Sequence, residues 1–533
     1  MRFFIPLFFI IALVIISFNL LKTTDKTSNQ ATKPQNDSSK QVVVLIIDSI
    51  MDEPLQSVLE EKKAPALEFL INNGNYYPHI VSSYPTMSVA IDSTLLTGTY
   101  PDQHKIPALV WFDSKNNRLI SYGSAKQEIM KLGPKQVFHN SLFQLNNDHM
   151  NKNVQTIHEV VNGPTASINT LVYRGKNNKP LNTPKILDVI GFLDENDSVK
   201  GPSFFSYGLL STIHPDNKHT NFWEAFGFND KFATEEMKYL IEHDRLPAFS
   251  LVYFSDNDKV VHKKGVNATK GIEDADKQLQ EILNSYSSWD EAIKDTVWIV
   301  MGDSGQTDIG KVKNQALVDL RELLNPYQIH KISKPVQKQD QLVLGLNERM
   351  SFIYILDENI KNEDIITLLS TDNRIDHIAW REGEWIKVTS TDHIGTLAFK
   401  PSGDFTDQYG QAWSIEGNIE ILNLQINQEN EITYNDYPDG LARLSSAFYS
   451  HEGDYLIVDA KPGFEFVGEG SPTHVGGAGH GSLHKQDTFF PMIVTGTEEK
   501  PKHERIVDFK EWILKILDPK AKVEVMEDIQ GED

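Results

Sequence analysis

Four short apolar runs stand out along the chain, and each has the length of a β-strand. They cover residues 42–48, 249–258, 297–303 and 489–496, are rich in β-branched or aromatic residues, and do not alternate with polar positions. Runs of this kind are typical of strands that are buried on both faces of a parallel sheet. We therefore predict a central parallel sheet to which all four runs contribute.

The segments between these runs have the character of helices, for example 64–73 and 271–286, and residues 509–517 have the pattern of an amphipathic helix. Strands that alternate with helices indicate an α/β layered fold. From 357 to 464 short strands and turns replace this pattern, which indicates an inserted, smaller α+β subdomain. The predicted organisation is a first part of the main domain at 41–356, the insertion at 357–464, and the last part with the C-terminal helix at 465–533.

The N-terminus carries a hydrophobic segment followed by a polar one. Residues 3–21 contain only two polar side chains, Ser17 and Asn19, and Arg2 precedes them. Such a segment is long enough to span a bilayer, and the preceding positive charge favours a cytoplasmic start. We predict a membrane anchor at 1–21, with a cleaved signal peptide as the alternative. The polar region 22–40 is predicted to be a flexible stalk, so the folded part would face outside the cell, or be secreted if the segment is cleaved.

Composition limits the classes of function. The chain has 533 residues, a formal net charge of −23 and no cysteine. The acidic balance argues against a nucleic-acid-binding surface, which needs Lys and Arg to neutralise phosphates. The lack of cysteine excludes disulfides, thiolate nucleophiles and cysteine-ligated metals. A small anionic substrate is still compatible with this charge if metal ions are bound, and no protein partner is predicted.

Aspartates end three of the apolar runs: Asp48 the first, the pair Asp256 and Asp258 the second, and Asp303 the third. Ligands of open α/β sheets bind at the carboxyl ends of the strands, so these carboxylates are expected to converge on a cation. A single aspartate after a strand would more simply cap the next helix. Three neighbours complete the set of candidates: Asp256 and Asn257 as supports of the ligands, and Asp92 as a solvated or helix-packing residue.

Histidines supply a second kind of metal donor. Asp258 and His262 are four residues apart and share one face of a helical turn, where a carboxylate and an imidazole can hold an ion such as zinc. His474, His480 and His484 lie in a glycine-rich loop just before the fourth run. A flexible lid or a surface hairpin is the alternative interpretation of this loop.

Thr86, in the segment YPTMS, is a candidate nucleophile. Pro85 fixes the backbone before it, and a helix is predicted from Met87 to Thr97, ended by Gly98. At a helix N-terminus, free N–H groups and the helix dipole attract a phosphoryl group. A hydroxyl there that also contacts a metal loses its proton more readily and can attack phosphorus. An ordinary N-cap is the alternative interpretation.

Taken in order, these motifs resemble the alkaline-phosphatase superfamily, and within it the type I phosphodiesterase/nucleotide pyrophosphatase branch. The matching features are Asp48, YPTMS around Thr86, Asp258-x-x-x-His262, Asp303 in a G-D-x-G turn, and GHGS around His480. They extend over about residues 41–497. The resemblance implies a mainly parallel central sheet flanked by helices, with two divalent ions, expected to be zinc, at its C-terminal edge.

The resemblance also implies a role for each matched residue. Asp258, His262 and His480 would hold one ion, and Asp48, Thr86 and Asp303 would hold the other. Thr86 would attack phosphorus and form a phospho-threonine intermediate, which activated water would then hydrolyse.

One position departs from the family pattern. Members of the family usually have Asp-His where this chain has Asp303-Ser304, so the second ion loses an imidazole. Three interpretations follow. The site takes a harder ion such as Mn²⁺ or Mg²⁺ through oxygen ligands, His484 or His474 substitutes, or the weakened site serves only for binding.

These observations predict a membrane-anchored, extracytoplasmic, metal-dependent hydrolase of small phosphate esters. A preference for phosphodiester or pyrophosphate bonds rests on the resemblance. A phosphoglycerol or phosphoethanolamine transferase of the same superfamily would use the same ions and threonine, although such enzymes usually have several spanning helices. A surface protein that only binds its ligand is the non-enzymatic alternative, and Ser304 is the feature that favours it.

Overall fold

The computed structural model describes residues 40–184, 187–188, 191–194 and 196–519. The strands are β1 Gln41–Ile47, β2 Gly74–Val81, β3 Val110–Asp113, β4 Arg118–Ser121, β5 Thr165–Ile168, β6 Asn177–Pro180, β7 Ser198–Gly201, β8 Phe204–Ser206, β9 Phe249–Phe254, β10 Thr296–Met301, β11 Thr307–Asp308, β12 Leu317–Asp319, β13 Leu342–Asn347, β14 Met350–Ile355, β15 Ile375–Glu382, β16 Trp385–Ser390, β17 Leu397–Asp407, β18 Ala412–Gly417, β19 Leu424–Ile426, β20 Glu431–Tyr434, β21 Tyr455–Ala460, β22 Glu465–Val467, β23 Ala478–Gly479 and β24 Phe489–Thr495.

The α-helices of the described residues are α1 Asp52–Glu60, α2 Pro65–Asn72, α3 Ser88–Thr97, α4 Pro101–His104, α5 Lys126–Leu132, α6 Pro134–His139, α7 Ile157–Val160, α8 Asp230–Glu242, α9 Asp256–Lys264, α10 Lys270–Leu283, α11 Trp289–Asp295, α12 Lys313–Ala316, α13 Leu320–Leu323, α14 Asn362–Leu369, α15 Gly440–Phe448, α16 Lys485–Thr488 and α17 Phe509–Leu517. The helices predicted near 64–73, 271–286 and 509–517 are present as α2, α10 and α17.

Seven strands form the central sheet, in the order β2-β24-β10-β1-β9-β5-β8. β1 is parallel to both β9 and β10, and β5 is parallel to β9 and β8. The fourth apolar run joins the central sheet as β24, but the prediction that it is a parallel strand is wrong. β24 is antiparallel to both β10 and β2. A continuous apolar run indicates that a strand is buried on both faces, and β24 is buried in this way. Such a run does not indicate the direction of the strand.

Both faces of the central sheet are covered. In β1, Val42, Val44 and Ile46 belong to one buried cluster, whereas Val43, Leu45 and Ile47 belong to another. Helices α3 and α17 pack in the first cluster, and α2, α8 and α10 pack in the second. This two-sided burial explains why the strand has no polar alternation, and it gives the mixed α/β architecture.

A second sheet lies between β13 and β21 in the chain. Its strands follow the order β13-β14-β21-β15-β16-β17-β20-β19, with β18 paired to β17. Its pairs are antiparallel except for β17 with β20. This sheet spans Leu342 to Ala460, and the subdomain boundaries at 357 and 464 stay predictions.

The membrane anchor predicted at 3–21 lies outside the described residues, as does the predicted stalk at 22–40 apart from Lys40. Within the part of the chain that the structure describes, no helix is long and apolar enough to cross a bilayer.

His158, in α7, is a buried imidazole that should make stability depend on pH. Its ring lies 5.3 Å from the ring of Phe249, and burial lowers its pKa to about 3. In the unfolded chain an imidazole titrates near pH 6.5, so the unfolded state binds more protons between these two values and stability falls as pH drops through that window. Wild type should lose unfolding free energy between pH 7 and pH 5. We expect this loss to be about 2 kcal/mol smaller in His158→Phe, as measured by urea denaturation.

His393 offers the control for this experiment because it is exposed. His393→Phe should leave the pH dependence at its wild-type value. If His158→Phe and wild type lost the same unfolding free energy between pH 7 and pH 5, His158 would not be held neutral by the fold.

Candidate metal centre and active site

Three aspartates lie at one edge of the central sheet. Asp48 follows β1, Asp303 follows β10, and Asp258 lies in the first turn of α9, directly after β9. These strands are parallel neighbours, so their carboxyl ends meet at the same edge. All three residues are buried, with at most 6% of their surface exposed. The structure therefore brings the three predicted carboxylates into one region.

Ser49 connects these aspartates. Its φ of 58° is left-handed, a conformation that costs a non-glycine residue about 1 kcal/mol or more. In this conformation its N–H donates to Asp303 Oδ1 at 3.1 Å, and its hydroxyl lies 2.9 Å from Asp258 Oδ1 and 3.2 Å from Asp48 Oδ1. A strained turn after a buried strand is thus stabilised by contacts with all three carboxylates.

The aspartates disfavour one another's ionisation. Burial raises the pKa of Asp48 well above its ordinary value, and the charges of Asp258 and Asp303 raise it further. Burial likewise raises the pKa of Asp303. A cation placed among these carboxylates would favour their ionised forms, so the electrostatics fit a metal-binding centre.

Asp258, His262 and His480 form a buried donor group. Each offers a ligand atom, and these atoms lie within 4.8 Å of one another. His262 Nδ1 donates to the Ala478 carbonyl at 2.8 Å, and His480 Nδ1 donates to the Thr86 carbonyl. Because a carbonyl oxygen only accepts, each Nδ1 carries a proton, and Nε2 is left as the nitrogen that can coordinate an ion.

The Asp258 carboxylate is oriented through one of its oxygens. Oδ1 accepts a hydrogen bond from Gln306 Nε2 at 2.7 Å, and His262 Nε2 lies 3.1 Å away. Oδ2 is buried and has no hydrogen-bond partner among the described residues. Burial acts to raise the pKa of Asp258, but the His262 imidazole and the hydrogen-bond donors lower it overall. The result is an ionised carboxylate with an unbonded oxygen, as a metal ligand requires.

Thr86 adjoins this donor group through both its side chain and its backbone. Its Oγ1 accepts a hydrogen bond from the Gly481 N–H at 2.7 Å, next to the bond from His480 to its carbonyl. Gly481 has a φ of +123°, and a Cβ there would lie 2.4 Å from the Asn347 carbonyl oxygen, so this position requires glycine. The Thr86 side chain is fully buried.

The helix after Thr86 matches its prediction to within one residue. α3 runs from Ser88 to Thr97 with Met87 as its N-cap, and Gly98 ends it with a φ of 65°. Thr86 therefore lies at the N-terminus of a ten-residue helix, where the backbone N–H groups favour an anion.

A second donor group adjoins the first and shares His262 with it. His262, Glu348 and His474 offer ligand atoms within 4.8 Å of one another, and the rings of the two histidines stack with centroids 4.3 Å apart. His474 Nδ1 lies 2.9 Å from a Glu465 carboxylate oxygen. Burial lowers the pKa of His474 to about 3 and raises that of Glu465 to about 7. His474 is thus a neutral imidazole beside His262.

The remaining candidates have separate environments. Asn257 Nδ2 donates to the Asp48 carbonyl at 2.8 Å and so supports the backbone at that ligand. Asp256 contacts α8 instead, where it accepts from the Asp230 N–H at 3.1 Å, and it binds Lys259 at 2.6 Å.

His484 and Asp92 are also placed by local packing. His484 caps α16 by accepting a hydrogen bond from the Gln486 N–H at 3.3 Å. Asp92 is fully buried in α3, which excludes the solvated alternative for this residue and agrees with the helix-packing one. Burial, and then the charge of Asp303, raise its pKa well above the ordinary value.

Sequence reasoning missed Ser49, Gln306, Glu348 and Glu465. Ser49 and Gln306 lie one and three residues after predicted ligands, so their positions were a usable signal. Glu348 is in the turn between β13 and β14, and Glu465 begins β22. Neither glutamate belongs to a motif, and only the fold places them beside His474.

The donor set fits divalent cations. It contains three buried carboxylates, two imidazole nitrogens and the Thr86 hydroxyl, all supported by hydrogen bonds from neighbouring groups. Zinc takes nitrogen and carboxylate donors of this kind, whereas Mn²⁺ and Mg²⁺ prefer the oxygen donors.

Comparisons with known proteins agree with this architecture. The structure of murine ectonucleotide pyrophosphatase/phosphodiesterase 5, an inactive variant in complex with AMP, matches with a TM-score of 0.53 and 12% sequence identity. The match covers 90% of this chain and 95% of that one, and the murine protein in a second structure gives the same values. The human protein matches with a TM-score of 0.50, the same identity and the same coverage. At this identity the likeness shows a shared fold.

A search of curated proteins found no significant match. The family model described as type I phosphodiesterase/nucleotide pyrophosphatase matches residues 42–480, which is most of the chain. The chain therefore belongs to the type I phosphodiesterase/nucleotide pyrophosphatase family and is a phosphoric ester hydrolase.

Proposed function

We propose that the protein hydrolyses phosphodiester or pyrophosphate bonds of small nucleotide-like substrates, with Thr86 as the nucleophile and two divalent ions as cofactors. The observation that carries this proposal is the position of Thr86. Its hydroxyl accepts from Gly481, and its carbonyl accepts from His480, a member of the buried donor group. The AMP bound to the murine neighbour supports a nucleotide-like substrate.

The ligands divide into two sets. Asp258, His262 and His480 would hold the first ion, and Asp48, Thr86 and Asp303 would hold the second. When bound, the ions would stabilise the charge that develops on the phosphoryl oxygens.

Thr86 and its surroundings would carry the covalent steps. The N-terminus of α3 favours the anionic phosphoryl group beside the hydroxyl. The hydroxyl proton passes to solvent, Oγ1 forms a bond to phosphorus, and the leaving group departs with the electrons of its bond and takes up a proton from solvent. Water then attacks the phosphorus of phospho-threonine, the bond to Oγ1 breaks, and Thr86 regains its proton.

A membrane anchor at residues 3–21 would hold this activity at the outer face of the cell membrane. The support is the length of the apolar segment and the preceding Arg2. We expect the full chain to remain in the membrane fraction after a carbonate wash and to be released by detergent. Release by the wash alone would contradict anchoring.

The proposed activity is tested with the full chain in detergent, stripped of metal by a chelator. Adding Zn²⁺, Mn²⁺ or Mg²⁺ should restore hydrolysis of a chromogenic phosphodiester, and the matching monoester should be cleaved more slowly. Asp258→Asn should abolish this turnover because it removes the ionised ligand, whereas Asp256→Asn, two residues away and turned to α8, should preserve it.

Two results would change the proposal. Transfer of the phosphoryl group to added glycerol in place of water would indicate the transferase. The absence of turnover with every ion, in protein shown to be folded by circular dichroism, would favour a protein that only binds its ligand.

A further inference from the structure

We propose that the two ion positions differ in chemistry, so that the centre binds one zinc-type ion and one Mn²⁺ or Mg²⁺ ion, with Ser304 as an added oxygen donor at the second position. The inference rests on the proposed function, because it assigns ions to the same centre.

The first position is rich in nitrogen. His262 and His480 each donate from Nδ1 to a backbone carbonyl, so each ring would coordinate an ion through Nε2, and their ligand atoms lie within 4.8 Å of that of Asp258. The ring of His474 stacks on that of His262, with centroids 4.3 Å apart. Two or three imidazoles with one carboxylate form a donor set that zinc binds well.

The second position has oxygen donors. Asp48, Thr86 and Asp303 offer carboxylate and hydroxyl oxygens, and a serine follows Asp303. Among the described residues, no cluster of potential metal ligands contains a histidine together with Asp48 and Asp303. Carboxylate and hydroxyl oxygens suit hard cations such as Mn²⁺ and Mg²⁺, and the loss of an imidazole weakens zinc binding most.

Two buried side-chain oxygens in the turn after Asp303 lack a hydrogen-bond partner among the described residues. Ser304 and Gln306 are 1% and 2% exposed, and neither Ser304 Oγ nor Gln306 Oε1 has a hydrogen-bond partner among the described residues. A buried polar atom without a hydrogen bond is destabilising, and coordination to a cation would offset this cost.

Both residues are already fixed at the centre. The Ser304 N–H donates to Asp303 Oδ1 at 2.8 Å, so its side chain starts next to the carboxylate of the second position. Gln306 Nε2 donates to Asp258 Oδ1 at 2.7 Å and to Ser49 Oγ at 2.8 Å. Because Ser304 directly follows Asp303 and its hydroxyl is buried without a hydrogen-bond partner among the described residues, we assign this hydroxyl as the oxygen that replaces the missing imidazole.

The test measures ion binding in the absence of substrate. Full-length protein in detergent is stripped of metal and titrated with Zn²⁺ by calorimetry. Bound metals are then counted by mass spectrometry after dialysis against Zn²⁺ and an excess of Mn²⁺. For wild type we expect one tight and one weak zinc-binding event, and about one zinc and one manganese retained per chain.

Two variants separate the positions. Ser304→His supplies the missing imidazole and should tighten the weaker zinc-binding event by at least about tenfold, so that two zinc ions are retained. Ser304→Ala introduces no extra volume, and it should leave the tight zinc-binding event unchanged while weakening Mn²⁺ binding by about tenfold. Circular dichroism of each variant establishes that it is folded.

The outcomes distinguish this inference from the proposed function. Two equally tight zinc sites in wild type, together with diester hydrolysis, would overturn the mixed centre and leave the hydrolase intact. Binding of fewer than two ions would overturn both. Unchanged Mn²⁺ binding in Ser304→Ala would exclude Ser304 as a donor.

Discussion

Replacing Thr86 with alanine should abolish phosphodiester hydrolysis, lowering kcat by at least about 10³-fold. The change removes the only atom that can form the covalent bond to phosphorus in the proposed reaction, and it also removes a donor atom of the second ion position. The α3 N-terminus and the other ligands remain, so substrate binding should be reduced much less than kcat. Steady-state kinetics with a chromogenic diester, for full-length protein loaded with its preferred ion, measure this difference.

Thr86→Ser is the matched control because it retains the hydroxyl. It should keep measurable turnover and the hydrogen bond from the Gly481 N–H, which is 2.7 Å long in wild type. Thr86→Ala leaves that buried N–H without its acceptor, which costs about 1–3 kcal/mol of unfolding free energy. Near wild-type kcat in a folded Thr86→Ala variant would exclude Thr86 as the nucleophile.

Much of the metal centre could be predicted from the sequence because several of its residues directly follow buried strands. Asp48 and Asp303 were recognisable because each directly follows an apolar run, and the structure places these runs side by side as β1 and β10. The four-residue spacing of Asp258 and His262 was informative because the segment is a helix, α9. Local sequence patterns are enough to predict a site residue where one short segment determines both the helix or strand and the position of the side chain on it.

The other parts of the structure depend on contacts that are distant in sequence. The antiparallel direction of β24 follows from the path of the chain, since its apolar pattern is the same in either direction. Glu348 comes close to His480 only because the turn after β13 packs on the histidine loop, where its carboxylate accepts the His480 N–H at 3.1 Å. The burial of Asp92 could not be predicted from the sequence, because a polar residue within a helix usually faces water.

Arg349 and Asp487 form a buried ion pair that joins three segments of the centre. Arg349 Nε donates to Asp487 Oδ2 at 2.9 Å, and neither side chain is exposed. Asp487 also accepts from the Ser482 N–H at 2.9 Å, and its backbone carbonyl accepts from the Gly305 N–H at 3.0 Å. The Arg349 N–H donates to the His480 carbonyl at 3.0 Å. The pair therefore fixes the histidine loop and the turn after Asp303 against β14, which begins at the next residue.

Arg349→Met should lower the unfolding free energy by about 3–5 kcal/mol, because it leaves the Asp487 charge buried without its counterion. Urea denaturation of the metal-free protein measures this loss, and Lys294→Met, in the exposed pair with Glu291, should change stability little.

The double variant Arg349→Met with Asp487→Leu leaves no uncompensated charge, so its loss of unfolding free energy should be smaller than the sum of the single losses. Additive losses would mean that the two residues act independently, and the pair would then not be what holds the His480 loop in place. Coupled losses together with weaker zinc binding in Arg349→Met would connect this ion pair to the geometry of the metal centre.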